Sequence, residues 1–434
     1  MSWEVIAIAS FGLIFLLLLS GLRVAAALGI AGIATAYIFI GRTSLLEYIG
    51  WTVDTNFVLI AIPLFIFMGQ LLLHSGLSSK LYEGSAALLG RVPGGLLHAN
   101  IISCAIFAAI SGSSVATAVT IGTVAIPELE KRGYESKIVL GSLAAGGTLG
   151  ILIPPSVPLI IYGVMTEQPV GPLFMAGIFP GIMLTLLFVG YIMVRVMTRP
   201  ELAPRPEKVL LKRRILSIIG MWPIVVTIMI VLGGIYLGVM TPTEAAGVGA
   251  FTALVFTLAY RQLNWSVLKM CLRETVKTTA MIVLLVIGAQ MVTSILTVLW
   301  VTDNAVVWAA SLAVSPIAIL MFIYLLYLIF GCFMDGVSLE VITLPIVFPI
   351  ISALGFDPIW FGIVLVILIE MGMLTPPVGL NVYVIHGLRP DRPLTEVFLG
   401  IIPFFFMLVI GLAIITTFPI IATWLPARMM KIRA

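Results

Sequence analysis

Long apolar runs separated by short polar segments cover almost the whole chain, and this pattern predicts membrane-spanning helices. A helix needs about 20 mostly apolar residues to cross the hydrocarbon core of a bilayer. In the first half of the chain such runs lie at 4–20, 24–40, 57–74, 96–127, 138–166 and 172–194. In the second half they lie at 215–238, 244–260, 278–300, 315–350, 359–386 and 397–425. We therefore expect an all-α polytopic membrane protein.

Polar and proline-rich breaks interrupt two of the runs in each half. A Ser-Gly-Ser-Ser segment at 111–114 and a polar stretch at 331–338 each lie in the middle of a run that is long for one crossing. The run that follows each of them is split by a Pro-Pro pair, at 154–155 and at 376–377. Two successive prolines remove two backbone N–H donors and cannot continue a regular helix. We interpret the polar stretches as the tips of re-entrant hairpins, and the Pro-Pro pairs as the breaks of two broken helices.

Simpler interpretations exist for both features. The small residues at 111–114 could form a packing face between helices, as glycine and serine often do in membranes. A Pro-Pro pair could merely kink a helix. The occurrence of both features at matched positions in the two halves favours hairpins and broken helices.

The two halves of the chain repeat one another with an offset of 222 residues. This offset superimposes prolines, glycines and an aromatic residue: Pro127 on Pro349, Gly133 on Gly355, Tyr134 on Phe356, Gly150 on Gly372, and the pair at 154–155 on that at 376–377. With re-entrant hairpins, each half crosses the membrane an odd number of times, so the second copy is inserted upside down. The sequence thus predicts an inverted-topology repeat, an architecture of many secondary transporters.

The repeat also predicts the division of the chain. The first repeat covers 1–194, with a scaffold at 1–95, a hairpin and broken helix at 96–166 and a span at 172–194. A basic linker follows at 195–214. The second repeat covers 215–434, with a scaffold at 215–314, a hairpin and broken helix at 315–386 and a last span at 397–425.

Composition and charge support a membrane protein and give it an orientation. Of the 434 residues, 61% are hydrophobic and 10% charged, whereas soluble domains have roughly 25% charged residues. Soluble enzymes, disordered chains and nucleic-acid-binding proteins are thereby excluded. With the linker in the cytoplasm, all but four of the 23 Lys and Arg residues fall on the cytoplasmic side, as the positive-inside rule requires. The exceptions are Arg42, Arg428, Lys431 and Arg433, and both termini are then expected outside.

The Pro-Pro breaks have the chemistry of ion-binding sites. We expect the first half-helix to end near Ile153 and the next to begin at Pro155 or Ser156, because proline suits a first helical position. Free carbonyl oxygens at the end of one half-helix suit a sodium ion, and the N-terminus of the next suits a carboxylate. At the second break, Thr375 and Asn381 add side-chain ligands.

Three acidic residues lie inside apolar runs, where an ionisable group is a functional candidate by default. Asp335 belongs to the second polar tip, and we expect it to be functional. For Glu370, just before the second break, a functional and a structural role are equally supported, and we interpret Glu340 as structural. The chain has no HExxH zinc motif and no P-loop motif for ATP, so we expect a transport protein rather than an enzyme.

At these residues the chain resembles the large membrane subunit of tripartite ATP-independent periplasmic (TRAP) transporters, of the DctM and SiaM type that carries dicarboxylates or sialic acid. The segments that carry the resemblance are Ser111–Ser114, Gly147–Ser156, Thr241–Ala246, Asp335-Gly336 and Thr375–Asn381.

The resemblance implies an elevator-type secondary transporter of the bacterial inner membrane that couples uptake of an organic anion to sodium ions. A soluble periplasmic binding protein would deliver the anion, and a small four-helix membrane subunit would complete the complex. The mobile part would comprise 96–166 and 315–386. A stand-alone sodium- or proton-coupled carboxylate carrier is the alternative, and the identity of the anion is left open.

The resemblance also implies which residues bind the ions and the anion. One sodium site would comprise Ser111, Ser114, Gly150, Ile153 and Pro154. A second sodium site would comprise Gly331, Gly336, Thr375, Pro377 and Gly379. The substrate would lie between them, at Ser113, Ser156, Asp335 and Asn381.

Overall fold

The computed structural model describes residues 2–41, 50, 53, 55–204 and 211–433, and of 211–213 and 430–433 the backbone alone. These residues form helices and turns, with no strand among them. Eight helical segments in this part of the chain are long and apolar enough to cross a membrane. Arg42 and the middle of the predicted linker, 205–210, lie outside the described residues. An all-α polytopic membrane protein is confirmed.

Each run that the sequence predicts to span the membrane contains at least one helix. The helices of the first half are α1 (Trp3–Leu19), α2 (Val24–Thr35), α3 (Ala61–His74), α4 (Leu77–Leu89), α5 (Gly95–Ser111), α6 (Ser114–Lys131), α7 (Ser136–Leu152), α8 (Val157–Thr166) and α9 (Val170–Thr198). Helix α2 continues as a π-helical turn (Ala36–Ile40), and a 3-10 turn (Phe57–Ile60) leads into α3. A further 3-10 turn (Pro200–Leu202) follows α9.

The second half repeats this order. Its helices are α10 (Leu211–Ile219), α11 (Trp222–Tyr236), α12 (Pro242–Ala259), α13 (Trp265–Val298), α14 (Val301–Ser311), α15 (Pro316–Gly331), α16 (Gly336–Ala353), α17 (Pro358–Gly372), α18 (Leu380–Leu388), α19 (Leu394–Thr417) and α20 (Ile420–Arg433).

Two elements differ from the sequence prediction. The run at 397–425, expected to be one span, is divided into α19 and α20, because Pro419 has no N–H and forces Phe418 out of the helical conformation. The segment 261–277, which separates two of the predicted spans, is largely the first part of the continuous 34-residue helix α13. The other bounds of the predicted domains stay predictions.

Helices related by the repeat run in opposite directions. Helix α2 lies parallel to α13, since Gly288 packs against Leu28 and Gly32 against Met291. Helix α13 begins in the basic segment that follows α12, so α2 also begins on this basic side. The counterpart of α2 at an offset of 222 residues is α12, which ends at the same basic segment. The chain therefore runs away from the basic side in α2 and toward it in the counterpart α12, so the repeat is inverted.

Contacts between distant loops bring the basic segments together on one side of the molecule. Arg214 donates a hydrogen bond to the carbonyl of Leu88 (2.9 Å), which places the end of the linker beside α4. The ammonium group of Lys80 lies 3.9 Å from the centre of the Tyr260 ring, and Glu135 N–H donates to the carbonyl of Leu202 (3.1 Å). The charges that the sequence assigns to a single membrane face thus share one face of the fold.

An ion-pair cluster joins the two repeats on this basic side. The guanidinium of Arg389, just after α18, contacts the carboxylate of Glu130 at the end of α6. Arg389 also donates two hydrogen bonds to Asp391, at 2.7 and 2.8 Å, and these hold the pKa of the Asp391 carboxyl at about 2. The Arg389–Asp391 pair therefore stays ionised at neutral pH.

The C-terminal helix lies against the opposite end of the bundle. Helix α20 packs along α9, where the Trp424 and Phe179 rings are 5.6 Å apart. Further along α20, Met429 packs on Gly171, at the start of α9, and α9 runs from there toward the linker. The described part of the C-terminal segment therefore approaches the face opposite the linker.

A close crossing of two helices in the second repeat depends on a pair of glycines. Gly331 at the end of α15 and Gly372 at the end of α17 meet backbone to backbone, and a Cβ added to Gly372 would lie 2.6 Å from Gly331 Cα. Nothing larger than hydrogen fits between the two helices, so glycine sets the distance between the hairpin and the broken helix.

We expect Gly372→Val to destabilise the protein by about 1–3 kcal/mol, because the new side chain forces the two backbones apart. The measurement is thermal unfolding of the purified protein in detergent. Gly233→Val in α11 is the matched control, since an added Cβ there has no atom within 4 Å. An equal loss of stability in both variants would contradict the prediction.

Candidate functional site

The first polar tip is a tight turn between two half-membrane helices. Helix α5 ends at Ser111, Gly112 adopts the left-handed conformation (φ 57°), and Ser113 caps α6 by accepting a hydrogen bond from Ala116 N–H (3.4 Å). A Cβ on Gly112 would lie 2.9 Å from the carbonyl oxygen of Pro155, so the tip rests directly on the first Pro-Pro break. The sequence prediction of a hairpin tip at this segment is confirmed.

A cluster of oxygen atoms forms where this tip meets the first broken helix. The hydroxyls of Ser111 and Thr117 are 2.7 Å apart, and Thr117 donates a hydrogen bond to the carbonyl of Ser113 (2.8 Å). A Cβ on Gly150 would lie 2.5 Å from the Ser113 carbonyl oxygen and 2.8 Å from Thr117 Oγ1. The fold thus brings Ser111 and Gly150 of the expected sodium site together with Ser113, which the resemblance assigns to the substrate, whereas the Ser114 hydroxyl accepts a hydrogen bond from Asn381. Thr117 was missed, although it lies one helical turn after Ser113.

The first break itself is short and buried. Helix α7 ends at Leu152, Ile153 is extended, and Ser156 caps α8 by accepting from Leu159 N–H (3.4 Å). The Ser156 hydroxyl also donates to the carbonyl of Ile151, so it is used within the break rather than directed at a ligand. The side chains of Ile153 and Pro154 pack on glycines of α9, which leaves only their backbone for an ion. Both Pro-Pro peptide bonds are cis.

The second tip has the same plan with an acidic cap. Asp335 is exposed and accepts a hydrogen bond from Ser338 N–H (3.0 Å) at the start of α16. It occupies the position of Ser113 in the repeat. Gly336 packs against Ile369 of α17, and Gly331 lies at the glycine crossing described above. Gly331 and Gly336 therefore lie beside the helix that leads into the second break.

The second break is longer and more open than the first. It extends from Met373 to Gly379, which adopts the left-handed conformation (φ 59°) before α18 begins. Thr375 donates to the carbonyl of Met371 (2.7 Å), and a Cβ on Gly379 would lie 3.3 Å from the Thr375 carbonyl oxygen. Thr375 and Gly379 are thus brought together, whereas Pro377 is exposed.

Asn381 links the two halves of the site. Its side chain is fully buried, and its amide donates to Ser114 Oγ (2.5 Å) and to the carbonyl of Ala144 (3.3 Å). The second half-helix of repeat two is thereby fixed to the hairpin of repeat one. Asn381 and Ser156 do not line the adjoining cavity, whereas Ser113 and Asp335 do.

A cavity of about 270 Å³ lies between the two tips. Residues at the N-termini of four helices line one side of it: Ser113 and Ser114 of α6, Val157 of α8, Gly336 of α16 and Leu380 of α18. Residues of α3 and α13 also line the cavity. Asp335 is the one charged side chain among the described residues that line the cavity, and no Lys or Arg is among them.

The helices lining this cavity start there for local reasons. Ser113, Ser156 and Asp335 are N-caps whose side-chain oxygens accept backbone N–H groups, and glycine or proline precedes or follows each cap. Gly69 lets α3 approach the first tip, since a Cβ there would lie 3.3 Å from Ser111 Cα. The cavity therefore exists because hairpins and broken helices all end at the same depth.

The two other intramembrane acids lie outside the cavity. Glu340 and Glu370 are fully buried, and the carboxylate oxygens of both residues accept no hydrogen bond from the described residues. Their repeat counterparts are Ala118 and Thr148, so the fold does not require an acid at either position. The structural role predicted for Glu340 stays a prediction.

Comparison with known proteins gives this architecture a family. The model of the "Tripartite ATP-independent periplasmic transporter, DctM component" matches residues 11–421. The chain belongs to this family. Its members are membrane subunits of TRAP transporters, and the resemblance seen in the sequence is confirmed.

Two curated TRAP permeases illustrate the relationship. The C4-dicarboxylate TRAP transporter large permease protein DctM of Pseudomonas aeruginosa is 35% identical over 86% of this chain and 86% of its own. The isethionate TRAP transporter permease protein DctMQ of Oleidesulfovibrio alaskensis is 36% identical over 94% of this chain, which spans 64% of that protein.

A solved structure supports the fold independently. The YdaH transporter of Alcanivorax borkumensis superposes with a TM-score of 0.61 over 87% of this chain and 88% of its own, at 17% identity. At this identity the likeness concerns the fold alone.

We expect Asn381→Ala to lower the midpoint of thermal unfolding of this TRAP subunit clearly, because the change leaves the Ser114 hydroxyl and the Ala144 carbonyl without this partner. Asn304→Ala is the matched control, since Asn304 is exposed and bonds only within its own helix. Equal midpoints for Asn381→Ala and Asn304→Ala would show that the inter-repeat hydrogen bonds contribute nothing to stability.

Proposed function

We propose that this chain is the large membrane subunit of a TRAP transporter, and that it couples uptake of a carboxylate-type organic anion to sodium ions. The observation that carries the proposal is the cavity between the two tips, where four helix N-termini converge in a membrane protein of this family. A DctM relative from Pseudomonas aeruginosa is described as a C4-dicarboxylate permease, which supports a carboxylate as the cargo.

The cavity can attract an anion without a basic side chain. Each helix N-terminus carries a partial positive charge and free N–H groups, worth about 0.3–1 kcal/mol toward a nearby anion and up to ~2 kcal/mol when partly buried. Four such termini can favour an anion at this place, and their N–H groups give the interaction direction. An anion held this way stays movable, because no strong ion pair with Lys or Arg has to be broken.

Sodium ions would complete the site. The oxygen cluster of Ser111, Ser113 and Thr117 beside Gly150 is of the kind that a small hard cation binds, and the carbonyls of Ile153 and Pro154 would add to it. A second ion would lie at the Thr375–Gly379 break, near the tip that carries Gly331 and Gly336. There it would offset the repulsion between Asp335 and the bound anion.

The energetics of such coupling are sufficient for accumulation. Each sodium ion that enters down a tenfold gradient contributes about 1.4 kcal/mol. Each net positive charge adds about 2.3 kcal/mol per 100 mV of membrane potential. Two sodium ions with one monoanion therefore supply on the order of 5 kcal/mol.

The remaining parts of the mechanism follow from the family. A periplasmic binding protein would deliver the anion, and a small membrane subunit would complete the complex, whether as a separate chain or fused. The basic face, with the linker, would lie in the cytoplasm and both termini in the periplasm. The hairpins and broken helices, 96–166 and 315–386, would move as an elevator against α1–α3 and α11–α13.

Reconstitution in proteoliposomes tests this function. We expect uptake of a labelled C4-dicarboxylate or other cognate anion to require an inward sodium gradient, the small subunit and the binding protein together. Uptake that proceeds equally well without the binding protein would instead identify a stand-alone carrier. Flux without sodium or proton coupling would overturn the proposal.

A second test addresses the ion sites. Ser111→Ala and Thr375→Ala should each raise the sodium concentration needed for half-maximal uptake several-fold, because each removes one candidate hydroxyl ligand. Protein yield and membrane insertion should be unchanged. Thr252→Ala is the control, since that hydroxyl is exposed and bonds only within α12. Unchanged sodium dependence in both site variants would contradict this placement of the ions.

A further inference from the structure

The part of the cavity wall that the scaffold contributes is mostly apolar. It is formed by scaffold helices α3 and α13 through Ile66, Leu73, Met281 and Ile282. Phe107 and Val337 continue this surface on the two hairpins. Apolar walls stabilise an aliphatic body by removing it from water, and they leave the hydroxyls of a polyhydroxylated ligand without partners.

Few polar side chains in the cavity are free for a ligand. The Ser111 hydroxyl is already bonded to Thr117, and Ser114 accepts the Asn381 amide. By contrast, the side chains of Gln70 on α3 and Thr278 on α13 line the cavity and make no hydrogen bond to the described residues. These two groups lie on the scaffold helices that complete the lining of the cavity.

The size and charge of the cavity limit its ligand further. A volume of about 270 Å³ is below the ~300–1,000 Å³ of pockets that hold drug-sized molecules. The carboxylate of Asp335 makes the wall unfavourable for a second negative charge, and no Lys or Arg among the described lining residues compensates it.

We infer that the cargo is a compact monocarboxylate with an aliphatic body, and that the Gln70 carboxamide binds its one polar substituent. This inference rests on the proposed function and makes its substrate class specific. The carboxylate lies at the helix N-termini of the two hairpins and broken helices. The body packs on the apolar wall, and an oxo or hydroxyl group next to the carboxylate reaches Gln70, with Thr278 beside it.

Ligand binding to the purified full chain in lipid nanodiscs tests the substrate class without the binding protein. The probes are 4-methyl-2-oxopentanoate, 4-methylpentanoate, succinate and gluconate, each titrated in 100 mM NaCl and followed by the shift in thermal unfolding. We expect 4-methyl-2-oxopentanoate to bind at least tenfold more tightly than succinate or gluconate. Tighter binding of succinate or gluconate would overturn the inference and leave the proposed function standing. The absence of binding by all four anions would also overturn the inference, whereas the proposed function is overturned only by the uptake assay in proteoliposomes.

The role of Gln70 is tested by a matched pair of ligands. In the Gln70→Leu variant, the Kd for 4-methyl-2-oxopentanoate should rise about tenfold. The Kd for 4-methylpentanoate, which lacks the oxo group, should stay unchanged. Gln262→Leu, at an exposed position after α12, is the control and should alter neither Kd. An equal rise in Kd for both ligands would show that Gln70 only shapes the wall, and it would overturn the role of Gln70 in binding the substituent.

Discussion

The architecture of this protein depends on the need to satisfy every backbone polar group within a membrane. Hydrocarbon offers no hydrogen bonds, so a chain that stops being helical at membrane depth has to be enclosed by other parts of the protein. Both Pro-Pro breaks lie at such depth. The first is closed by Gly112 against the Pro155 carbonyl and by the Ser156 hydroxyl on Ile151. Residues that flank each break line the central cavity: Ile151 and Val157 at the first, and Met373 and Leu380 at the second.

The two repeats enclose each other's breaks. Helix α6 of the first hairpin packs on α18, the second half-helix of repeat two, and α16 of the second hairpin packs on α8 of repeat one. Side-chain hydrogen bonds also join the two repeats: Asn381 of α18 donates to Ser114 of α6 (2.5 Å), and Tyr162 of α8 donates to the carbonyl of Pro358 at the start of α17 (2.6 Å). The first break is also covered within its own repeat, by Gly112 and Ser156, so the contacts exchanged between the repeats add to this enclosure. The helix N-termini that this exchange gathers at a common depth are the basis of the proposed anion site.

Charged side chains are distributed differently on the basic face of the molecule and at its centre. The basic loops share one face, where the pairs Arg389–Glu130 and Arg389–Asp391 join the base of the first hairpin to the second repeat. The centre holds no basic side chain among the described cavity residues, and helix ends and the Asp335 carboxylate border it instead. Such a division keeps strong charges in water and leaves weak, directed ones in the membrane, which is suited to a cargo that has to be released.

The sequence by itself determined the class of protein, the repeat and the places where the helices break. Apolar runs, two Pro-Pro pairs and a fixed offset are local or periodic features, and they need no knowledge of packing. The tertiary structure decided which polar groups face the cavity. Ser156 and Asn381 have the residue types of ligand-binding groups, yet both form hydrogen bonds inside the protein, whereas Gln70, which no pattern singled out, lines the cavity. A side chain's neighbours come from segments up to 267 residues away, and this distance is set by packing rather than by spacing along the chain.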